Sequence, residues 1–393
     1  MSQSFFESEL FNELSNDLKH YSRFTATYRI TAGSYEEAKK TAFGIAVEQT
    51  VECPYELVEN TWIGDTLVGQ IEDIKKGAPG TYDATISYDP QAVESEFTEL
   101  LNMLFGNTSL QPGIRLMSFE LPDVMYNNYP GPRFGRTGIR ELCGVESGPI
   151  LMSAIKPLGT PTADFARMVY ELALGGCPLI KDDHSLLNQK SAPFEERVKA
   201  CVDAAESANA KTGGKSQYIA NCTADGLQFL ERAFKAKELG AGGIMAAPGL
   251  LGFSMIRELS KDPEFGLPIY LHPCFSGSLV LKDDCGISPF CYYGQISRLA
   301  GADSVIFTSF GGRFPFSQEV CQNICNGTET RMADLKPIFP VPSGGMRWQL
   351  FRRMYEIYGP ETIFLVGGAL QTEGPDLTSN MKLYAEKLQE AQA

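Results

Sequence analysis

The chain has no run of basic residues, no apolar segment approaching the ~18 residues of a membrane-spanning helix, and no Cys-x-x-Cys pair. Each absence excludes something. Contacts to a phosphate backbone need clustered Lys and Arg, so a formal net charge of −14 reads against nucleic acid and against an anionic membrane as partners. The first residues, Met1 to Glu7, lack the basic and apolar regions of a secretory leader, and the expectation is a cytoplasmic protein. Ten cysteines are scattered along the chain. Cys321 and Cys325 stand a helical turn apart without a neighbouring His, so the cysteines read as core residues or free thiols rather than zinc ligands.

What is there describes a folded protein of ordinary composition. With 393 residues, 43% hydrophobic and 11% aromatic, the chain predicts two domains with a substantial core. In residues 22–31 Phe24, Ala26, Tyr28 and Ile30 alternate with polar neighbours, the pattern of a half-buried strand. Residues 34–47 predict a helix capped by Ser34 with Glu36 and Glu37 at its positive end. Two further strands over 69–76 and 80–88 and a helix over 94–105 complete a smaller α+β domain, residues 1–145.

From residue 146 to 393 the rhythm changes. Eight short, mostly apolar runs (149–156, 178–183, 216–222, 243–247, 268–272, 304–308, 337–342 and 362–366) alternate with helix-like segments. Continuous apolar strands are buried on both faces, and eight strand–helix repeats predict a (β/α)8 barrel; a doubly wound open sheet is the alternative. Barrel chemistry sits at the C-terminal ends of the strands. Those tips are Lys156-Pro157, Lys181-Asp182-Asp183-His184, Asn221, His272, Ser309 to Arg313, Ser343-Gly344-Gly345 and Gly367-Gly368. Four ionisable residues on one tip are costly to desolvate unless they bind something. Lys156 and Lys181 on neighbouring tips repel unless one is neutral, which suits a lysine to base work or modification. The two glycine pairs allow main-chain N–H groups to approach an oxyanion, so a phosphorylated substrate is expected.

In this order, a small α+β domain with Asn102 in Leu101-Asn102-Met103, then Ile155-Lys156-Pro157, Lys181-Asp182-Asp183, Leu271-His272, Pro342-Ser343-Gly344-Gly345 and Val366-Gly367-Gly368, the chain resembles the ribulose-bisphosphate carboxylase (RuBisCO) large-chain family over nearly its whole length. The resemblance implies that Lys181 is carbamylated by carbon dioxide and holds Mg²⁺ with Asp183 and the next residue. That residue is His184, where the carboxylating enzymes have Glu; it is either a changed metal ligand or an acid–base group. Lys156 is implied as the enolising base, with His272 beside it, and Glu48 and Asn102 as contributions across a homodimer or a higher oligomer of dimers. Ser343, Gly344, Gly345, Gly367, Gly368 and Arg313 are implied in binding phosphate and substrate.

The departures from the family pattern have one direction. His272-Pro273-Cys274-Phe275 lacks a His and the Arg that would hold a second phosphate; the loop 308–315 has no lysine; and Thr50 to Pro54 replaces a Thr-Gly-Thr-Trp motif. The resemblance is therefore to the form IV, RuBisCO-like proteins, which do not fix carbon dioxide. It implies enolisation of a phosphorylated ketose, first of all isomerisation of 5-methylthioribulose 1-phosphate in methylthioadenosine salvage. The alternatives are 2,3-diketo-5-methylthiopentyl-1-phosphate enolase, decarboxylation of 3-oxo-isoapionate 4-phosphate, and a catalytically silent binding barrel.

Overall fold

The computed structural model describes residues 22–312 and 314–392. They fall into two units: the described residues up to Tyr129 with the segment Ser278–Gln295, and Pro130–Gly277 with the residues from Ile296 onward. The division thus lies at 129/130 rather than 145/146. Its physical cause is the helix Gly135–Cys143, whose Ile139 and Cys143 pack into the core of the second unit. Among the described residues no helix is long and apolar enough to cross a membrane.

In the first unit, strands β1 (Phe24–Thr31), β2 (Gln70–Lys76), β3 (Thr81–Tyr88) and β4 (Ile114–Glu120) form an antiparallel sheet in the order β4-β1-β3-β2. Phe24, Ala26, Tyr28 and Ile30 of β1 are buried, as their alternation predicts. Helix α1 (Tyr35–Glu48) starts where Ser34 Oγ accepts from the Glu37 N–H at 3.2 Å, while Glu37 reaches back to the Gly33 N–H at 2.8 Å. Two orphan donors are satisfied by one pair of side chains. Helix α2 spans Phe97–Phe105. The segment returned from the second unit adds a two-residue strand, Gly286–Ile287, parallel to β4.

The second unit contains eight parallel strands: β5 (Ile150–Ile155), β6 (Leu179–Asp182), β7 (Gln217–Asn221), β8 (Gly243–Ala246), β9 (Ile269–Leu271), β11 (Ser304–Thr308), β12 (Phe339–Ser343) and β13 (Ile363–Val366), with the Gly286–Ile287 strand counted as β10. Their order is β12-β11-β9-β8-β7-β6-β5-β13, a nearly closed barrel whose hydrogen-bonded ladder is interrupted only between β12 and β13. The sequence of β12, Phe339-Pro340-Val341-Pro342-Ser343, explains the seam. The Phe339 N–H donates to Asp303 O at 3.1 Å, toward β11, so the alternate positions Pro340 and Pro342 are those turned toward β13, and proline has no N–H to give. Met152, Leu179, Ile219, Met245, Tyr270, Ile306, Val341 and Leu365 fill the interior in one cluster. This is a packed core with chemistry left to its end.

Candidate active site

Strand β6 sorts its side chains by alternation. Leu179 belongs to the barrel core, so Lys181 and Asp183 follow it to the inside, whereas Asp182 turns out toward the surrounding helices. Asp182 has no exposed surface and accepts from Arg197 Nε at 3.1 Å, from the Tyr218 hydroxyl, and from the Asn221 N–H at 2.9 Å. Arg197 also donates to Ala192 O at 2.7 Å and Leu187 O at 2.9 Å, bracing the loop beyond β6. Asn221 Nδ2 donates to His184 O at 2.9 Å. The backbone of Asp183 and His184 is thereby held from behind.

On the inner side, Asp183 Oδ1 lies 3.6 Å from Lys156 Nζ and 3.5 Å from His184 Nδ1. Burial alone would raise the Asp183 carboxyl; the His184 hydrogen bond and the charges of Lys156 and Lys181 outweigh it and hold the group well below the usual carboxylate range. Lys181 is 2% exposed, and its Nζ donates to Asp182 O at 2.8 Å. Its pKa is pushed down to about 8, first by desolvation and further by Lys156, against the opposing pull of Asp183. The repulsion expected between the two lysines is present, but burial is the larger cause.

His184 and His272 stack in parallel, centroids 4.9 Å apart and planes 1° from parallel. The Cys274 N–H donates to His272 Nδ1 at 3.2 Å, which assigns the ring proton to Nε2. Burial, then the Lys181 and His184 charges, keep the His272 pKa well below its ordinary value. It is a neutral hydrogen-bond donor.

Gly344 and Gly345 adopt φ of +83° and +92°, a left-handed pair that only glycine adopts without strain. Ser343 Oγ donates to Phe307 O at 2.9 Å. A Cβ on Gly312 would stand 2.4 Å from Gly344 O, so the loops after β11 and β12 touch through their backbones. A Cβ on Gly367 would stand 3.6 Å from Lys156 Nζ, which sets the β13 tip, followed by exposed Gly368, beside that lysine. Arg313 lies outside the described residues.

Glu48 and Asn102 belong to the first unit. Gln49 brings their helices together, its Nε2 donating to Asn102 O and Met103 O at 2.8 Å each, and its Oε1 accepting from the Thr108 N–H at 2.9 Å. Glu48 Oε1 accepts from Asn107 Nδ2 at 3.0 Å. Sequence reasoning missed Gln49, Arg197 and Tyr218, and named Asp182 without a role. No signal in the chain couples Asp182 to an arginine fifteen residues on; only the fold of the βα unit does.

The donor set decides how a divalent cation would fit. Among the described residues no three His, Cys, Asp or Glu side chains converge as a metal-binding group. Asp183 is the one inward carboxylate of β6, His184 offers nitrogen, and an ammonium on Lys181 repels cations. For an oxygen-seeking Mg²⁺ the Asp183 carboxylate is the suitable donor, the imidazole of His184 is a poor one, and Lys181 could offer oxygen only if carbon dioxide had added to it as a carbamate. A lysine near pKa 8 has the neutral fraction that this addition needs.

The family model of the ribulose bisphosphate carboxylase large chain, catalytic domain, matches residues 137–373. The 5-methylthioribulose-1-phosphate isomerase of Rhodospirillum rubrum is 34% identical over 351 residues, 88% of this chain and 91% of that protein. The 2,3-diketo-5-methylthiopentyl-1-phosphate enolase of Geobacillus kaustophilus is 34% identical over 288 residues, 72% of this chain and 69% of that one. Among solved structures, a Rubisco-like protein from Rhodopseudomonas palustris superposes with a TM-score of 0.83 at 34% identity, covering 94% of this chain and 98% of that one. The chain belongs to the ribulose bisphosphate carboxylase large-chain family, among its RuBisCO-like members.

Proposed function

We propose that the protein enolises a phosphorylated ketose without fixing carbon dioxide, with 5-methylthioribulose 1-phosphate as substrate and isomerisation as the outcome. The observation that carries this reading is Lys156, whose Nζ lies 3.6 Å from Asp183 and beside Gly367 at the mouth of the barrel. The Rhodospirillum relative, similar over nearly all of both chains, supports the choice of substrate. The Geobacillus enolase is similar over a smaller share and supports the diketo phosphate as the second reading.

In this proposal the phosphate is received by main-chain N–H groups of Gly344, Gly345, Gly367 and Gly368, with Ser343 alongside. Lys156, once its ammonium has given up a proton to become the neutral amine, takes the proton from the carbon next to the carbonyl. His272, neutral and fixed by Cys274, donates Nε2–H to the oxygen on which charge develops. Carbamylated Lys181, Asp183 and His184 would hold Mg²⁺, which when bound supplies positive charge to the enediolate. Glu48 and Asn102 reach the site from a second copy, so the working form is a homodimer or an oligomer of dimers.

The test is proton exchange. In D₂O the enzyme with bicarbonate and Mg²⁺ should wash deuterium into the carbon adjacent to the carbonyl of 5-methylthioribulose 1-phosphate, seen by NMR. Lys181→Ala should lose the metal-dependent part. Absence of exchange with the wild-type enzyme would remove the reading.

A further inference from the structure

The exposed large apolar side chains of the second unit, among the described residues, lie in the segments that follow barrel strands: Leu158 after β5, Leu227 after β7, Leu250 in the short helix Pro248–Leu251 after β8, Phe275 after β9, Phe314 after β11 and Leu350 in the single turn Trp348–Leu350 after β12. The opposite end of the barrel and the outer helix faces have none. Apolar surface gathered at the catalytic end of a soluble unit marks a binding surface.

Phe275 is distinct among them. It is 74% exposed and has φ +67°, a left-handed conformation that is a true outlier for a bulky residue. Such a backbone persists only where the surroundings over-determine it, and it concentrates at functional sites. Here the surroundings are visible. The Cys274 N–H is tied to His272 Nδ1 at 3.2 Å, and the Ser276 hydroxyl and N–H both donate to Pro273 O, at 2.6 and 3.2 Å. From the neighbouring loop Gly249 packs so close that a Cβ there would stand 2.7 Å from Cys274 O and 3.2 Å from the Phe275 Cβ. The loop spends strain to hold an aromatic ring in solvent, where burial returns nothing. A ligand that covers the ring supplies the missing return.

Position narrows the ligand. In the strand order β8 lies four places from β13, across the mouth from Gly367 and Gly368. A substrate whose phosphate is held at the β12 and β13 tips therefore presents its far end to the loops after β8 and β9. Those loops carry Leu250, 56% exposed, and Phe275, three residues beyond His272. Neither loop offers an inward cation there. The pair suits an apolar end group, and a thioether in particular makes favourable contacts with an aromatic ring.

Resting on the proposed reaction, we infer that Phe275, seconded by Leu250, is the specificity-determining contact for an apolar methylthio or alkyl group at the end of the substrate remote from the phosphate. The test is binding of two polyol phosphates that lack the carbonyl and cannot be turned over, 5-methylthioribitol 1-phosphate and ribitol 1-phosphate, titrated calorimetrically. The wild-type protein should prefer the methylthio compound by about tenfold or more, the range that one apolar group contributes in a pocket. Phe275→Gly should bring the two affinities to within about twofold of each other, and Phe275→Leu should keep most of the preference. Glycine accepts φ +67° without strain, so Phe275→Gly should melt no lower than the wild type.

A wild-type preference near one overturns the inference, as does a preference that Phe275→Gly leaves unchanged. The latter result joined to a shift toward monomer in sedimentation would assign the ring to subunit contact instead. Deuterium exchange into 5-methylthioribulose 1-phosphate reports separately on the reaction. Exchange with an unchanged binding ratio removes only the role of Phe275; no exchange with a ratio that collapses in Phe275→Gly removes only the reaction.

Discussion

Arg197 and Asp182 form an ion pair with no exposed surface on either side chain, Nε to Oδ1 3.1 Å, directly behind the strand tip that presents Lys181 and Asp183. Its value lies in what its removal leaves. Asp182 accepts two hydrogen bonds on each oxygen, and Arg197 also satisfies two loop carbonyls, so deleting the guanidinium strands a buried charge, the buried carbonyl of Ala192 and the part-buried carbonyl of Leu187.

Arg197→Met should therefore destabilise the protein by about 3–5 kcal/mol, the cost of breaking a buried pair from one side. Urea unfolding measures it, with Arg167→Ala as the comparison. Arg167 pairs with Asp164 and Glu171 on an exposed helix face, and its loss should leave the midpoint unchanged. An equal midpoint for Arg197→Met and the wild type would show that the brace is dispensable.

A second buried carboxylate gives a pH signature. Burial pushes Asp303 up to about 6, against the pull of the N–H donors of Gly135, Ile269 and Phe134. The folded state thus keeps a proton that the unfolded chain has released near its ordinary value of 3.8. This contribution to stability is complete below the unfolded pKa and is lost as pH rises through about 6. Between pH 4 and 7 the wild type should lose on the order of 2–3 kcal/mol from this group. Asp303→Asn should be less stable than the wild type at the acid end and should lack this fall; the rise of stability with pH that the depressed His272 contributes is common to both proteins and cancels in their difference. Asp183 does not confuse the measurement, because its depressed pKa moves its own effect below the interval and gives it the opposite sign. Parallel pH curves for the two proteins would show that Asp303 titrates as it does in the unfolded chain.

These buried groups mark where sequence reading stops. The eight barrel strands were legible because a strand covered on both faces is a continuous apolar run, and the tips were legible because Lys156, Lys181, Asp183, His184 and His272 interrupt such runs with charge or imidazole. Strand β4 escaped notice for a physical reason. Its register with β1 shifts between Thr27 and Tyr28, so Ile114 to Glu120 shows three consecutive buried residues instead of an alternation. The segment Ser278–Gln295 escaped because its strand is two residues long and pairs with a sheet whose other strands come from the start of the chain. Asp182 is chemically identical to Asp183 in the sequence; only the strand's alternation separates a brace from a candidate ligand.

The contact between two loop backbones offers a sharper substitution. In Gly312→Ala the new methyl group would stand 2.4 Å from Gly344 O, a backbone atom that cannot rotate away, so the loops after β11 and β12 must separate. Gly344 and Gly345 are the proposed phosphate cradle. The expected result is a rise of about tenfold or more in KM for a phosphorylated ketose, in line with a misplacement of about 1 Å at a reacting site. Gly311→Ala is the comparison for strain, since its φ of +72° is equally left-handed but no atom stands within 4 Å of the added Cβ. Equal kinetics for the two variants would separate the loop contact from phosphate binding.

Carboxylation of ribulose 1,5-bisphosphate should be absent from a preparation that catalyses proton exchange on a phosphorylated ketose. Exchange requires a base within reach and a stabilised oxyanion. In the proposed reaction Lys156, as the neutral amine, would serve as the base and the neutral Nε2–H donor of His272 as the oxyanion contact. Addition of carbon dioxide asks for more: the lysine that the family resemblance expects on a closing loop, and a clamp on the second phosphate while the enediolate is shielded from water. Residues 308–315 contain no lysine, and Phe275 stands where the family resemblance expects the clamping arginine. An exposed ring on a left-handed backbone cannot bind a phosphate dianion. Loss of one preorganised charge costs about 10²–10³ in rate, so the loss of two should put carboxylation below detection. Both reactions can be measured on one sample. Labelled bicarbonate entering acid-stable product would refute the first half, and full proton exchange by Lys156→Met would refute the second.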